Sequence, residues 1–224
     1  MLKDNISKVK ERIASVCLKI NRDPSQISIV AVSKGRPVED IIEAVACGIT
    51  DIGENRVQEA ILKYNKLVTG KETNRQIVRW HMVGHLQTNK VKEAVKIFDL
   101  IQSVDSLYLA EEIDKQAAKI NKIQDILIEI KTSPEVTKFG LNADAALGVI
   151  KEVGKFKNIY IKGLMTIAPP VKHPEEARPY FKILSGLLDD LNRQTILSMG
   201  MSDDFEVAIE EGAGMLRIGR AIFN

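Results

Sequence analysis

Lys34 closes a short apolar run, Ile27-Ser28-Ile29-Val30-Ala31-Val32-Ser33, and Gly35-Arg36-Pro37 turns the chain directly after it. A charged amine is costly beside a packed core, so most lysines lie on solvated faces. One delivered by a buried strand either pairs with a carboxylate or phosphate or serves as a Schiff-base nucleophile. Two further segments carry donors suited to an anion. Ser198-Met199-Gly200-Met201-Ser202-Asp203-Asp204 opens a helical pattern, with Ser202 at the position of an N-cap, and Gly219-Arg220 follows the strand-like Met215–Ile218 that carries Arg217. Free backbone N–H groups at helix starts bind phosphate. Ser202 alone reads as a cap and Gly219 alone as a turn, but together at two consecutive strand ends they favour a phosphate site.

These residues gain meaning from the elements that must position them. After an opening helix from about Leu2 to Ile20, strand-like and helix-like segments alternate. Strands are expected at Ile27–Ser33, Thr50–Ile52, Val78–Val83, Leu100–Val104, Ile126–Lys131, Ile159–Ile167, Thr195–Met199 and Met215–Ile218. Helices are expected to begin near Val38, Val57, Asn89, Ser106, Ala143, Glu175 and Asp203. In Ser106–Ile120, for example, Leu107, Ala110, Ile113, Ala117 and Ile120 fall on one helical face. Asn142 and Ser202 are the expected N-caps of the helices that follow them. Runs such as Ile126-Leu127-Ile128-Glu129-Ile130 suit parallel strands covered on both sides. Eight strands in strict alternation with helices, with no Pro/Gly/Ser-rich linker, predict an α/β fold: a single closed (β/α)8 TIM barrel spanning residues 1–224, with an extra N-terminal helix. Function in such a barrel collects at the C-terminal ends of the strands. Lys34, Gly53-Glu54-Asn55-Arg56, Gly84-His85-Leu86-Gln87, Lys131-Thr132, Ser202, Arg217, Gly219 and Arg220 all map there.

Composition excludes several classes. The 224 residues are 45% hydrophobic and 28% charged, with 32 basic against 30 acidic side chains. Such a balance, with charges interspersed, argues against a nucleic-acid binder. The two cysteines, Cys17 and Cys47, sit on apolar helical stripes and suit core packing in a reducing cytoplasm. The N-terminus leads into an amphipathic helix rather than a signal peptide, and no apolar run approaches the ~18 residues of a transmembrane helix.

A lysine facing a phosphate cup across a barrel mouth suits a phosphorylated carbonyl compound, and pyridoxal 5′-phosphate (PLP) combines an aldehyde with a phosphate. Arg217, inward on the last strand, would then face the pyridine nitrogen and keep it unprotonated, weakening the ring as an electron sink.

An ordered set of motifs strengthens this expectation. Ala31-Val32-Ser33-Lys34, Gly53-Glu54-Asn55-Arg56-Val57-Gln58-Glu59, Trp80-His81-Met82-Val83-Gly84-His85-Leu86-Gln87-Thr88-Asn89-Lys90, Lys138-Phe139-Gly140-Leu141, Gly163-Leu164-Met165-Thr166-Ile167, Ser198–Asp204 and Arg217-Ile218-Gly219-Arg220-Ala221-Ile222-Phe223 occur in this order. With them the chain resembles, over essentially its whole length, the YggS/PROSC group of PLP homeostasis proteins. The resemblance implies a barrel like the alanine racemase N-terminal domain, PLP on Lys34 as a Schiff base, and Asn55 near the cofactor. It further implies phosphate contacts around Ser202, Gly219 and Arg220, with Arg217 at the pyridine nitrogen. It implies a cytoplasmic carrier that buffers or delivers PLP, with PLP-dependent apo-enzymes as partners and no established catalytic turnover. A monomer is the default, since no exposed apolar stripe announces a dimer. Asn224 stands where glycine is usual in the group, and position 220 varies there between small and basic residues.

The principal alternative is a PLP-dependent amino-acid racemase. Two-base racemisation needs an acid/base opposite the lysine, which alanine racemase draws from a tyrosine of an added β-domain. Here the sequence ends at Asn224, and Tyr64, Tyr108, Tyr160 and Tyr180 fall in helical patterns or at a strand start. A Schiff-base aldolase would want lysine on a later strand and a proton shuttle, for which His81 and His85 are the candidates. Neither their spacing nor a third ligand suggests a metal site. Gly212-Ala213-Gly214 lies between a helix and a strand, the wrong order for a dinucleotide fingerprint. Lys138 reads either as a surface lysine or as a residue that receives PLP during transfer.

Overall fold

The computed structural model describes residues 1–69, 78–133, 135, 139–190 and 195–224. Its strands in chain order are β1 (Ser28–Val32), β2 (Asp51–Glu54), β3 (Arg79–Met82), β4 (Leu100–Val104), β5 (Gln124–Lys131), the two-residue β6 (Leu141–Asn142), β7 (Ile159–Met165), β8 (Ile196–Ser198) and β9 (Met215–Ile218). The strands pair in parallel in the order β1-β2-β3-β4-β5-β7-β8-β9, and β9 pairs with β1 to close the ring. β6 pairs only with the end of β5. The result is the expected (β/α)8 barrel.

The strands alternate because the barrel has two apolar surfaces to fill. Val30, Leu100, Leu127, Met165 and Met215 point inward and pack with Val83 in the lumen. Their neighbours Ala31, Ile52, Ile101, Ile126, Ile128, Leu164 and Leu216 point outward into the larger core beneath the helices. Around the ring run α1 (Leu2–Lys19), α2 (Val38–Ala46), α3 (Val57–Thr69), α4 (Val91–Ile97), α5 (Leu107–Ala118), α6 (Ala143–Val153), α7 (Arg178–Gly186), α8 (Phe205–Glu210) and α9 (Arg220–Phe223). α1 packs on α2, α8 and α9 through the buried stripe Leu2, Ile6, Val9, Ile13 and Cys17. Among the described residues no helix is long and apolar enough to cross a membrane.

Several helix starts differ from expectation. α4 begins at Val91, α7 at Arg178 and α8 at Phe205; single 3₁₀ turns occupy Thr88–Lys90 and Pro174–Ala177 instead. Asn142 does stand at the N-cap of α6, but its side chain makes no cap bond. Ser202 is not an N-cap. The N-cap of α8 is Asp204, whose carboxylate reaches back to accept from the Met201 N–H at 2.6 Å, leaving the Ser202 hydroxyl for another partner.

Ile13 is 4% exposed in the α1 seam. Ile13→Ala should cost roughly 3 kcal/mol through the cavity it leaves, lowering Tm by about 6–12 °C in a chain of this size. Thermal unfolding followed by circular dichroism checks this.

Candidate functional site

The end of β1 is held from two sides. The Ser33 N–H donates to Gly53 O (2.9 Å) and the Arg36 N–H to Ser33 O (3.0 Å), forming the turn that presents Lys34. Gly35 adopts φ +70° within it, the left-handed region that favours glycine. Beneath the turn, Lys63 on α3 is 6% exposed. Its ammonium donates to Ser33 O (2.6 Å), Glu54 Oε1 (2.6 Å) and Glu59 Oε1 (2.7 Å). Glu54 also accepts from the Ser33 hydroxyl (2.5 Å), and Glu59 from the Gly35 N–H (2.6 Å). A buried ammonium with three oxygen partners is satisfied, and every partner belongs to or braces the segment that carries Lys34. Burial pushes the Glu54 carboxyl up despite these donors. For the less buried Glu59, desolvation works in the same direction, but the hydrogen bonds from Lys63 and Gly35 outweigh it and hold the carboxyl low.

Inside the barrel, a polar chain runs through the apolar lumen. Arg79 donates to Asp51 (2.8 Å), and His81 contacts Asp51 through Nε2 (2.9 Å) and Gln102 through Nδ1 (2.9 Å). The Ser198 hydroxyl donates to Gln102 Oε1 (2.6 Å) and accepts from Arg217 Nη1 (2.6 Å), while Arg217 Nη2 donates to Thr166 O (2.7 Å). With the Gln102 oxygen committed to Ser198, its amide donates to His81 Nδ1. That assigns the His81 proton to Nε2, where it points at Asp51. Burial opposes ionisation of Asp51, yet its bonds from His81, Thr50 and Arg79 keep its pKa below the ordinary carboxylate value.

Arg217 heads this chain and is 4% exposed. Desolvation lowers its pKa to about 10, with Glu129 and Asp204 opposing, so it remains a cation at neutral pH. Glu129, inward on β5 and 6% exposed, is pushed up to about 7. Burial is the main cause, the nearby Asp105 adds to it, and Arg217 opposes it.

Above the chain, at the C-terminal ends of the strands, lies a cavity of about 160 Å³ lined by Val32, Lys34, Asn55, Val83, Ile167, Met201, Ser202, Arg217, Gly219 and Arg220. All six residues singled out in the sequence, Lys34, Asn55, Ser202, Arg217, Gly219 and Arg220, line it. Asn55 Oδ1 is buried without a hydrogen-bond partner. The Ser202 hydroxyl accepts from the Ala221 N–H at 3.1 Å, tying the Gly200–Asp204 turn to the Gly219–Arg220 turn. The Arg220 guanidinium pairs with Asp203 and is 69% exposed.

The family described as alanine racemase, N-terminal domain, matches residues 2–224. The pyridoxal phosphate homeostasis protein of Aquifex aeolicus is 42% identical, covering 98% of this chain and 96% of its own. That of Escherichia coli K12 is 34% identical over 98% and 94%. The chain belongs to the pyridoxal phosphate homeostasis protein family. Among solved structures, PipY of Synechococcus elongatus with PLP bound superposes with a TM-score of 0.81 at 35% identity, covering 96% of this chain and 100% of PipY. An alanine racemase of Clostridium difficile shares the fold at a TM-score of 0.75 and 17% identity, this chain covering 58% of it.

Other residues flagged in the sequence fall outside this cavity. His85 pairs with Asp105 (3.2 Å) and stacks on Phe139 (ring centroids 3.7 Å apart). None of the tyrosines Tyr64, Tyr108, Tyr160 and Tyr180 lines the cavity. Among the described residues no cluster of three or more metal-ligating side chains occurs, and Cys17 and Cys47 are free thiols. Lys138 lies outside the described residues. The sequence reading gave no site role to Lys63, Gln102 or Glu129 and none to Ser198 by itself; Gln102, Glu129 and Ser198 are polar positions of β4, β5 and β8, and their place in buried strands was the available signal.

The Glu129 carboxyl moves from an ordinary 4.5 to about 7 on folding, so the folded state binds the extra proton. Stability from this group is full below pH 4.5 and is lost as pH rises through 7. Glu129→Gln removes the dependence. The variant should gain on the wild type between pH 5 and 8, by on the order of 2–3 kcal/mol, as read from urea unfolding at each pH.

Proposed function

We propose that this protein binds PLP in the Lys34 cavity and holds it as a reserve for PLP-dependent apo-enzymes, without turnover of its own. The observation that carries the reading is the convergence of one amine, one buried cation and a set of anion-binding donors on a single cavity. The donor set fits PLP group by group. Lys34 offers the amine for an aldehyde. The Ser202 hydroxyl and the backbone N–H groups at Gly219 and Arg220 suit a phosphate. Arg217 spends one bond each on Ser198 and Thr166 and retains N–H groups for a ring nitrogen. Asn55 brings a buried carbonyl oxygen without a partner. Membership of the pyridoxal phosphate homeostasis family, and the PLP bound by PipY, support the same assignment.

When bound, PLP supplies an aldehyde that condenses with a primary amine and a ring that draws electrons from the resulting carbon–nitrogen bond. Lys34 captures the aldehyde, held in place by the Lys63–Glu54–Glu59 platform beneath its backbone. Arg217, protonated at neutral pH, donates a hydrogen bond without giving up its proton and leaves a ring nitrogen facing it unprotonated. A ring in that state stabilises carbanions poorly, which suits holding over catalysis. For a racemase the cavity lacks a second base: among the described residues no tyrosine or histidine lines it, and losing a general base typically costs 10²–10⁴ in rate.

The first test is a visible absorption spectrum of the protein saturated with PLP, before and after borohydride. A band that borohydride removes, leaving a phosphopyridoxyl group on the Lys34 peptide, is expected. It should be absent in Lys34→Ala, and Ser202→Ala should weaken PLP binding about 5–10-fold, the worth of one hydrogen bond. A protein that takes up no PLP, or is labelled on another lysine, would overturn the assignment. PLP released to an apo-enzyme, with no change in added amino acids, is the outcome expected of a carrier.

A further inference from the structure

A second cavity of about 160 Å³ shares Ile167 with the first but none of its other residues. On the same measure one water needs roughly 15 Å³, so there is room for a small organic molecule. Among the described residues its polar lining is Glu129, Lys131, Thr132 and Ser133, with Phe139 and Ile167 on the apolar side.

The way these groups are left unsatisfied is informative. Glu129 and Lys131 stand two apart on β5, on the same face of the strand, and neither takes part in an ion pair among the described residues. Glu129 is 6% exposed and accepts no hydrogen bond from any described residue; its charged neighbours are Asp105 and Arg217. Ser133 is likewise 6% exposed, and its hydroxyl has no partner. The Thr132 hydroxyl is already engaged with Thr166 (3.0 Å). Buried polar groups are ordinarily satisfied, so a carboxylate and a hydroxyl left open beside an ammonium, around one cavity, describe the complement of a ligand with both charges.

We propose that this cavity binds a small α-amino acid, its ammonium group on Glu129 and its carboxylate on Ser133 and Lys131. The site stands apart from Lys34 and does not rest on the PLP reading. Glu129 gains its negative charge as pH rises through about 7, with Asp105 after β4 and Arg217 on β9 as the charged groups that act on it, and Lys131 stands two residues further along its own strand. Affinity for the ammonium group therefore rises from pH 6 to pH 8.

The test is calorimetric titration of the full chain, freed of PLP, with L-alanine and glycine, and with propionate and ethylamine as ligands carrying one charge each. L-Alanine should bind more tightly than either single-charge ligand and more tightly at pH 8 than at pH 6. Glu129→Gln should lose about tenfold or more and Ser133→Ala about fivefold, the range for charge-assisted and neutral hydrogen bonds. Ser133→Ala serves on its own should Glu129→Gln fail to fold. No heat with millimolar amino acid would overturn the proposal. So would propionate binding as tightly as L-alanine, which would mark an anion pocket only, or unchanged affinity in the variants.

Discussion

A guanidinium buried in the lumen sets the terms for the rest of the barrel. Moving a cation out of water into an apolar interior costs several kcal/mol unless partners replace the lost hydration. For Arg217 the replacement comes from four directions: the Ser198 hydroxyl on β8, the Thr166 carbonyl after β7, and the carboxyls of Glu129 and Asp204. Ser198 serves this role because Gln102 accepts its proton, and Gln102 is fixed by His81, which is fixed by Asp51. Each inward polar residue thus exists to orient the next. Between them the lumen is filled by Val30, Leu100, Leu127, Met165 and Met215. An arginine anchored this firmly loses little further freedom when it meets a ligand, which is the condition for a preorganised contact.

The same economy governs Lys34. β1 pairs with β2 on one side and β9 on the other, so that Val30 stands level with Asp51 and Arg217, and Val32 with Gly53. One strand therefore brings the amine above it and the Arg217 cation beside it into the same cavity. Gly219 follows β9 closely enough that a side chain there would stand 3.3 Å from Val32 O. Its backbone consequently approaches the cavity with nothing interposed. The buried Lys63 below stabilises the turn rather than the amine: it binds Ser33 O and the two glutamates that brace Ser33 and Gly35, leaving Lys34 itself outside the ion-pair network.

How far the sequence discloses this arrangement depends on whether a residue's role is local. Strand existence was readable because a short, nearly continuous apolar run is a local pattern, and all eight barrel strands are found where they were expected, with ends shifted by a residue or two. The residues of the main cavity were readable because a polar cluster at a strand's C-terminal end has few structural reasons to be there. The role of Ser202 was not, since a serine ahead of a helical pattern looks like a cap. Only the fold reveals that Asp204 holds the turn while Ser202 reaches Ala221. Gln102 and Ser198 are 96 residues apart in sequence, so nothing local to either could indicate their bond. Glu129 carries no signal of its own within the run Ile126–Ile130, and its burial, visible only in the fold, sets it apart.

The resemblance to alanine racemase at a TM-score of 0.75 but 17% identity shows how little of a function the barrel itself decides. What a cavity of this barrel can do is decided by the side chains at its mouth. Opposite the amine, this cavity presents Ser202, Asn55 and apolar walls, groups that hold a ligand without exchanging protons readily. Below it stands a cation that keeps its proton at neutral pH. Glu129, whose carboxyl burial pushes up to about 7, lines the neighbouring cavity instead. On the reading proposed here, retention and proton exchange are thus separated by Ile167.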